Sequence, residues 1–367
     1  MNTDEILNIL KTPRRREEMG PFLGTGSTLL NLAMSGRTDG GIPAGKYMFF
    51  VGDSASGKTF LALTALAEAQ LSDHFKKYRL IFDNAEDGAL MDFNKFFGPS
   101  VAAKLEPPAL FEDGDPAPST TVDEFYFNLD DALNKAEKTG VPFIYVLDSM
   151  DALSSKYEQK KFKEAKTAAR NPKVKAKGDY GDGKAKTNSR YLRGSLARIR
   201  DTGSILIVIC QTRDNIDAGL FEPSKTRSGG HALQFYATVE VWTAIKGRLK
   251  KTVRGKDRQV GIVAKCGVKK NRITGKTWAV DIPLYWSSGI DDVGGCVDFM
   301  VEEQYWKKDK SGRIDGSADF AGCTGYREVV VEFIENNDLE DDLRDLVSEV
   351  WESVEEACVI NRKKRYH

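Results

Sequence analysis

The most constraining feature of this chain is a short motif of the form G-x-x-x-x-G-K-[ST], which reads Gly52-Asp53-Ser54-Ala55-Ser56-Gly57-Lys58-Thr59. An apolar strand, residues 47–51, precedes the motif, and a helical run, residues 60–70, follows it. Such a loop curls so that its N–H groups converge on a phosphate chain, while Lys58 reaches the β- and γ-phosphates. Thr59 supplies a hydroxyl ligand for Mg²⁺. The strand, loop and helix together predict a site for a nucleoside triphosphate, with ATP and Mg²⁺ as the cofactors.

Beyond this motif, short apolar strands alternate with helical runs from Gly24 to about Tyr285. The predicted strands are residues 47–51, 79–84, 143–148, 205–211 and 237–244, and the predicted helices are residues 59–70, 122–139 and 191–202. This alternation predicts an α/β fold, a core with a mostly parallel sheet covered by helices. Residues 251–282 are expected to form antiparallel strands. The predicted organisation is an N-terminal arm (1–23), the core (24–288), and a small α+β lobe (289–367) with an acidic amphipathic helix and a basic tail. The arm is either solvated or docked on a neighbouring subunit, and the sequence leaves both open.

Composition excludes several classes of protein. The 367 residues contain 54 Lys and Arg against 54 Asp and Glu, so net charge does not identify a partner. Five scattered cysteines without a C-x-x-C pair, and only three histidines, argue against a zinc site. Residues 1–16 lack an apolar stretch, and no run approaches 18 apolar residues, so neither a signal peptide nor a membrane span is predicted. We therefore expect a cytoplasmic protein that does not bind membranes.

Polar residues follow three of the predicted strands. Asp148 ends an apolar strand, where a rigid carboxylate can hold Mg²⁺ or its water. Glu86 follows the preceding strand and is favoured as the residue that orients the attacking water, with Asp83 and Asp87 as alternatives. Gln211 ends a further buried strand and is predicted to sense the γ-phosphate and to signal to the loop that follows.

Two basic segments are candidates for nucleic-acid binding. Residues 156–190 hold twelve Lys and Arg against four Asp and Glu, a net charge of 12 − 4 = +8, and are expected to form a long, mobile loop. Residues 212–228 combine cations with an apolar tip that can stack on bases, and a glycine pair closes the segment as a hinge. Solvated surface is the alternative for both. The predicted DNA-binding loops span about 154–190 and 212–229, with the contacts Lys173, Lys175, Lys177, Arg190, Arg213, Leu220, Phe221, Lys225, Arg227, Gly229 and Gly230.

Several segments in combination resemble the RecA-type recombinases, and the overall texture is most like the phage-encoded members. The segments are the lead-in Gly24 to Asn31 and Gly40 to Lys46, Asn84-Ala85-Glu86, Leu147-Asp148-Ser149, Cys210-Gln211, and Gly229 to Ala237. The first basic segment departs from bacterial relatives in being longer and more basic. If the chain is phage-encoded, its compartment is the cytoplasm of the bacterial host.

The resemblance implies an ATP-dependent DNA recombinase with DNA-dependent ATPase activity. It would form helical filaments on single-stranded DNA, with ATP between subunits, and promote pairing and strand exchange with duplex DNA. Mediator or single-strand-binding proteins are further possible partners. Lys270 and Arg272 would reach a neighbour's ATP site in trans, and Asp92 and Phe93 would lie near the adenine. The alternatives are a hexameric helicase or another ring-forming DNA motor, and a non-catalytic nucleotide-binding module.

Overall fold

The computed structural model describes residues 20–89, 91–170, 183–214, 225–227 and 230–362, and a ten-stranded sheet lies at the centre of this part. The strands of the described part, which also include a two-stranded sheet of β1 and β2 and a separate sheet of β13 to β15, are in chain order β1 (Phe22–Leu23), β2 (Ile42–Pro43), β3 (Tyr47–Gly52), β4 (Arg79–Asp83), β5 (Leu105–Glu106), β6 (Phe143–Leu147), β7 (Ile205–Asp214), β8 (Lys225–Arg227), β9 (Val239–Val253), β10 (Lys256–Asn271), β11 (Ala279–Tyr285), β12 (Gly289–Ile290), β13 (Lys307–Lys308), β14 (Ile314–Asp315) and β15 (Thr324–Gly325). The helices are α1 (Thr28–Ser35), α2 (Lys58–Leu71), α3 (Phe93–Phe97), α4 (Pro99–Lys104), α5 (Val122–Thr139), α6 (Lys156–Arg170), α7 (Gly183–Thr202), α8 (His231–Tyr236), α9 (Asp292–Glu302), α10 (Arg327–Asn336) and α11 (Glu340–Ala357).

The central sheet has the strand order β12-β11-β10-β9-β3-β7-β6-β4-β5, and β8 pairs with β7. Neighbours from β9 to β5 run parallel, whereas β9 to β12 are antiparallel. The predicted α/β fold and the antiparallel strands after residue 250 are therefore confirmed. Because parallel strands end at the same edge, the segments that follow β3, β4, β6 and β7 meet there.

The sheet is buried on both faces, which explains why its strands read as continuous apolar runs. On β3, Met48 and Phe50 pack into one hydrophobic cluster with α1 and α2. The alternate residues Tyr47, Phe49 and Val51 pack into a second cluster with α5 and α7. Side chains alternate between the faces of a strand, so a strand covered on both sides has no position for a solvated residue.

The prediction of a long loop at 156–190 is wrong, because most of the described residues in this range are helical. Residues 156–170 form α6, and α7 begins at Gly183 rather than at Tyr191; residues 171–182 lie outside the described part of the chain. Alanine, lysine, glutamate and glutamine are strong helix formers whatever their net charge. A capping box also starts α6, since Ser155 and Glu158 exchange hydrogen bonds of 2.6 and 3.1 Å between side chain and backbone N–H.

The C-terminal region contains α9 to α11 and a three-stranded sheet, β13-β14-β15. The predicted apolar stripe of the last helix is confirmed, because Leu343, Val347, Val350 and Trp351 are buried. The Trp351 ring lies 5.1 Å from Trp278 and 5.8 Å from Phe299, between ring centroids. In the described ranges, no helix is both long enough and apolar enough to cross a bilayer. Residues 1–19 of the N-terminal arm and 363–367 of the basic tail lie outside those ranges.

Candidate nucleotide-binding site

The loop between β3 and α2 has the geometry that its sequence predicts. Gly57 precedes α2 with φ 93°, a left-handed conformation that glycine adopts without strain and that turns the chain into the helix. The Nζ atom of Lys58 folds back and donates a 2.6 Å hydrogen bond to the carbonyl of Asp53. Ser56 Oγ also donates to this carbonyl at 2.7 Å. The loop therefore folds back onto its own lysine at the N-terminus of α2.

Lys58 is almost completely buried, and burial lowers its pKa. The carboxylates of Asp148, Glu86, Asp53 and Asp151 oppose this effect and favour the ammonium form. The charged groups around the loop are therefore these four carboxylates and the buried ammonium group of Lys58. A triphosphate with its metal ion would give the lysine the anionic partner that the loop is shaped to hold.

Thr59 and Asp148 form the candidate metal site. The hydroxyl of Thr59 donates a 2.6 Å hydrogen bond to Oδ2 of Asp148, which directly follows β6. Burial raises the pKa of Asp148, and the Thr59 hydrogen bond and the Lys58 charge lower it. Hydroxyl and carboxylate oxygens are hard ligands of the kind that Mg²⁺ takes beside phosphate oxygens and water. The two side chains thus fit the magnesium ion that the sequence predicts.

Glu86 and Gln211 come together at the same edge of the sheet. Gln211 Nε2 donates to one carboxylate oxygen of Glu86 at 2.7 Å, and Ser149 Oγ donates to the other at 3.2 Å. The backbone N–H of Glu86 donates to the carbonyl of Asp148 at 2.9 Å. Glu86 is exposed, so its carboxylate is held in place but remains accessible to water.

The two alternatives to Glu86 differ sharply from it. Asp83 is fully buried and accepts hydrogen bonds from the N–H and hydroxyl of Ser119 and from the Tyr145 hydroxyl, at 2.9, 2.6 and 2.8 Å. Burial raises the pKa of Asp83, while these hydrogen bonds lower it. Asp87 is exposed and has φ 51°. The hydrogen bonds and burial of Asp83 therefore favour a structural role for it over contact with water.

Asp83→Asn is expected to lower the free energy of unfolding by about 1–3 kcal/mol, the cost of leaving a buried polar group unsatisfied. The amide NH₂ would face two hydroxyl donors, those of Ser119 and Tyr145. Urea unfolding measures the loss, and ATP hydrolysis per folded molecule should be unchanged. The exposed Asp87→Asn serves as the control. Slow hydrolysis with unchanged stability would instead give Asp83 the catalytic role.

A chain of hydrogen bonds connects this edge with the end of β7. The N–H of Gln211 donates to Asp151 at 2.6 Å, and the Thr212 hydroxyl donates to the Asp53 carboxylate of the phosphate loop. β7 continues to Asp214 and pairs there with β8. Direct contacts therefore connect the nucleotide loop with the strand that leads into the second basic segment.

Sequence reasoning missed four of these contact residues: Ser149, Asp151, Thr212 and Thr243. Thr243 shares a 2.6 Å hydrogen bond with Ser56 although 187 positions separate them, so no local pattern could reveal it. Ser149 and Thr212 directly follow Asp148 and Gln211, and a search of the residues after each strand end would have found them. Asp151 lies only three positions beyond Asp148.

The residues predicted near the adenine lie on α3. Asp92 caps this helix by accepting a 3.2 Å hydrogen bond from the N–H of Lys95. Phe93 packs against Phe82 and Phe97, with ring centroids 5.9 and 5.8 Å apart. Both residues thus have local structural roles, and the adenine contact stays a prediction.

Lys270 and Arg272 converge at the C-terminus of α8. Lys270 Nζ donates to the carbonyls of Gln234 and Phe235 at 2.6 and 2.7 Å, and Arg272 donates to that of Phe235 at 2.7 Å. Both cations also lie over the Phe235 ring, which is 63% exposed. Cations are stabilised by the carbonyls at the end of a helix. The pair is thereby fixed beside an exposed aromatic ring, and its role in trans stays a prediction.

The candidate DNA contacts are described only in part. Lys173, Lys175, Lys177, Leu220, Phe221 and Gly229 lie outside the described residues. Arg190 is exposed on α7, and the backbones of Arg213, Lys225 and Arg227 belong to the β7–β8 ladder. Gly230 has φ 80°, and a Cβ atom there would lie 2.6 Å from the Cβ of Ala185 on α7. The glycine that follows the second basic segment therefore packs against α7, whose first turns belong to the first segment.

Comparison with known proteins gives consistent matches. The family model of the RecA N-terminal domain matches residues 165–291. The chain is 27% identical over 331 residues to Protein RecA of Cytophaga hutchinsonii, covering 88% of this chain and 80% of that protein. Protein RecA of Caulobacter vibrioides is 27% identical over 348 residues, with 92% and 83% covered. Protein RecA of Bacteroides thetaiotaomicron is 28% identical over 315 residues, with 83% and 80% covered.

Proposed function

We propose, from the premise that this chain belongs to the RecA-type recombinase family, that it is an ATP-dependent DNA recombinase. It assembles as a filament on single-stranded DNA and exchanges strands with a homologous duplex. The observation that carries the proposal is the hydrogen bond between Glu86 and Gln211. It joins the residue that we propose to orient water to the strand that leads into a basic segment, as an ATPase coupled to DNA requires.

Three side chains are proposed to hold the nucleotide. Lys58 binds the β- and γ-phosphates, and Thr59 and Asp148 hold the magnesium ion directly or through water. When bound, this ion neutralises charge on the phosphate oxygens. The 2.6 Å hydrogen bond between Thr59 and Asp148 supports this assignment, because it places both oxygen ligands at one point beside the loop.

Glu86 is proposed to orient the water that attacks the γ-phosphate. Its two hydrogen bonds, from Gln211 and Ser149, fix the direction of the carboxylate without burying it. Gln211 then senses whether the γ-phosphate is present. Its contact with Asp151, and that of Thr212 with Asp53, support a coupling between the phosphate loop and residues 215–224.

Lys270 and Arg272 are proposed to complete the ATP site of a neighbouring copy. Their attachment to the carbonyls at the end of α8 supports this role, since it holds two cations rigidly beside the exposed Phe235. Catalytic cations supplied by a second copy make hydrolysis depend on assembly. ATP would then lie between subunits and link filament formation to the chemical step.

Negative-stain imaging combined with a hydrolysis assay tests the proposed function. With ATP and single-stranded DNA we expect helical filaments and a hydrolysis rate well above that without DNA. Closed rings with ATP-driven duplex unwinding would instead identify a ring motor. Neither filaments nor stimulated hydrolysis would show that the proposal is wrong.

Replacing Lys173, Lys175 and Lys177 together by glutamine is expected to reduce the salt dependence of single-stranded DNA binding. Each phosphate contact contributes about 0.7 to the slope of log affinity against log salt on single strands, so the slope should fall by up to about 2. Titrations at several salt concentrations measure it. The matched control replaces the exposed Lys307, Lys308 and Lys310 by glutamine. An unchanged slope would make the first segment ordinary solvated surface.

A further inference from the structure

A fully buried carboxylate lies on β9, the strand next to β3. Glu240 is 0% exposed, and its ladder partner on β3 is Phe49, which packs in the second hydrophobic cluster together with Leu233 of α8. The two carboxylate oxygens accept hydrogen bonds from Gln234 Nε2 at 3.0 Å and from Trp242 Nε1 at 2.9 Å. Glu240 therefore lies on the face of the sheet that α8 covers, and it is bonded directly to that helix.

Stability alone does not explain a carboxylate at this position. Burying an ionised group is costly even when the group is hydrogen-bonded, and replacing a buried ionic group by an apolar side chain of similar size is often neutral or stabilising. The residues on either side of Glu240, Val239 and Val241, are fully buried apolar residues, so β9 is otherwise a strand of the hydrophobic core here. The benefit of Glu240 therefore lies in what its hydrogen bonds hold in place.

Gln234 connects this carboxylate with the two cations proposed to act in trans. Its side chain donates to Glu240, while its backbone carbonyl accepts a 2.6 Å hydrogen bond from Lys270 Nζ. The next carbonyl, that of Phe235, accepts from Lys270 and from Arg272, both at 2.7 Å. Because α8 has only six residues, its position depends on tertiary contacts rather than on helix propensity. The hydrogen bond to Glu240 thus orients the carbonyls that hold the cations.

A β-bulge in β10 brings the cations to the same face of the sheet as Glu240. Val268 pairs with Val241 and Lys270 pairs with Glu240, so Lys269 is an extra residue on β10. Side chains alternate along a strand, and without the extra residue Lys270 would share the face of Val268. Bulges re-aim side chains in this way and are frequent beside active sites. The bulge and the buried carboxylate therefore contribute to one arrangement, in which the cations meet the end of α8.

We propose that Glu240 is a positioning residue for the trans-acting pair Lys270 and Arg272. The inference rests on the proposed function and deepens it, since it names the group that sets where these cations point. Glu240 is itself buried and acts through Gln234 and α8. Because α8 begins at His231, just after the second basic segment, the same hydrogen bond connects the position of the cations with the end of that segment.

The test replaces Glu240 by leucine in the full-length protein. Leucine is of similar size but accepts no hydrogen bond, so α8 loses this link to β9. We expect the kcat of ATP hydrolysis with single-stranded DNA to fall at least about tenfold, because a misplacement of about 1 Å can cost about 10²-fold. The KM for ATP should be unchanged, since Lys58 and Thr59 of the same copy are untouched. Steady-state hydrolysis at varied ATP concentration measures both constants.

Three further variants separate positioning from folding. Gln234→Leu removes the other partner of the hydrogen bond and should lower kcat to a similar extent. Glu240→Gln should keep most of the activity, because the Gln234 amide can turn and accept from the new amide. Trp242→Phe removes the second hydrogen bond of the carboxylate but leaves α8 attached, so it should lower the urea midpoint without lowering kcat. Urea unfolding is measured for every variant beside the kinetics.

A mixing experiment shows whether the defect lies in the cations that a copy donates or in its own ATP site. The Glu86→Gln protein is slow at its own site but carries unaltered Lys270 and Arg272. In filaments assembled from equal amounts of the Glu86→Gln and Glu240→Leu proteins, hydrolysis should rise well above that of either protein alone. The expected rate is about a quarter of the wild-type rate when neighbours are random, since cations supplied by one copy complete the site of the next.

Three outcomes would overturn the inference: a wild-type kcat in Glu240→Leu, a defect that mixing does not relieve, and an equal loss of kcat in Trp242→Phe. The double variant Lys270→Ala, Arg272→Ala tests the proposed function independently. If this variant hydrolyses ATP as the wild type does, the trans role itself is wrong. If it is slow while Glu240→Leu is not, only the positioning role of Glu240 is wrong.

Discussion

Lys58→Ala is expected to abolish every ATP-dependent activity of this protein. Hydrolysis stimulated by single-stranded DNA should fall by at least about 10²–10³-fold, the effect of removing one preorganised donor to a developing charge. Filaments should no longer form with ATP. The physical reason lies in the charges around the loop, where Asp148, Glu86, Asp53 and Asp151 all act on the buried ammonium group. Without Lys58 these four carboxylates lose their buried counter-charge and disfavour a triphosphate.

Nucleotide binding and hydrolysis are measured separately for this variant. A fluorescent ATP analogue reports binding, and phosphate release reports hydrolysis. The exposed Lys77→Ala, which also removes one lysine, is the control and should behave as the wild type. Lys58→Arg keeps the charge but replaces a compact ammonium group by a planar fork, so partial activity is expected. Wild-type hydrolysis by Lys58→Ala would place the phosphate site elsewhere.

The parts of the fold that the sequence predicts well depend on local patterns. The strand, loop and helix around Lys58 follow from residues next to one another, and the observed helix, Lys58–Leu71, differs by one residue at each end from the predicted one. The helix at 122–139 has a local signal at each end, a capping box at Thr121 and Glu124 and a left-handed Gly140. Where chemistry and geometry are encoded within a few residues, the prediction succeeds.

The remaining features cannot be predicted from a short stretch of sequence. The high net charge of residues 156–190 favours a loop, but helix propensity and the Ser155–Glu158 capping box decide the structure over 156–170. The hydrogen bond between Ser56 and Thr243 requires the order of strands in the sheet. Likewise, residues 251–258 are predicted from the sequence only as part of antiparallel strands, and the strand pairing shows that they project beyond the sheet.

Glu86→Gln is expected to separate ATP binding from ATP hydrolysis. The amide keeps the size of the side chain and one oxygen that can accept from Gln211, but it is a much weaker base. Hydrolysis should slow by about 10²-fold or more, the contribution of a positioned acid–base group. ATP affinity should stay within a few fold, because Lys58, Thr59 and Asp148 are unchanged. Filaments on single-stranded DNA should then persist, since the ATP-bound state is no longer lost.

Single-turnover hydrolysis and equilibrium binding measure the two effects independently. Asp87→Asn is the matched control, because it removes one carboxylate from an exposed neighbour that lacks the contacts with Gln211 and Ser149. It should hydrolyse ATP as the wild type does.

Normal hydrolysis by Glu86→Gln together with a loss in Asp87→Asn would transfer the water-orienting role to Asp87. Equal and negligible rates in wild type and Glu86→Gln would mean that the nucleotide only holds a conformation. If only Glu86→Gln is slow, the carboxylate that accepts the hydrogen bond of Gln211 is the group that orients the attacking water.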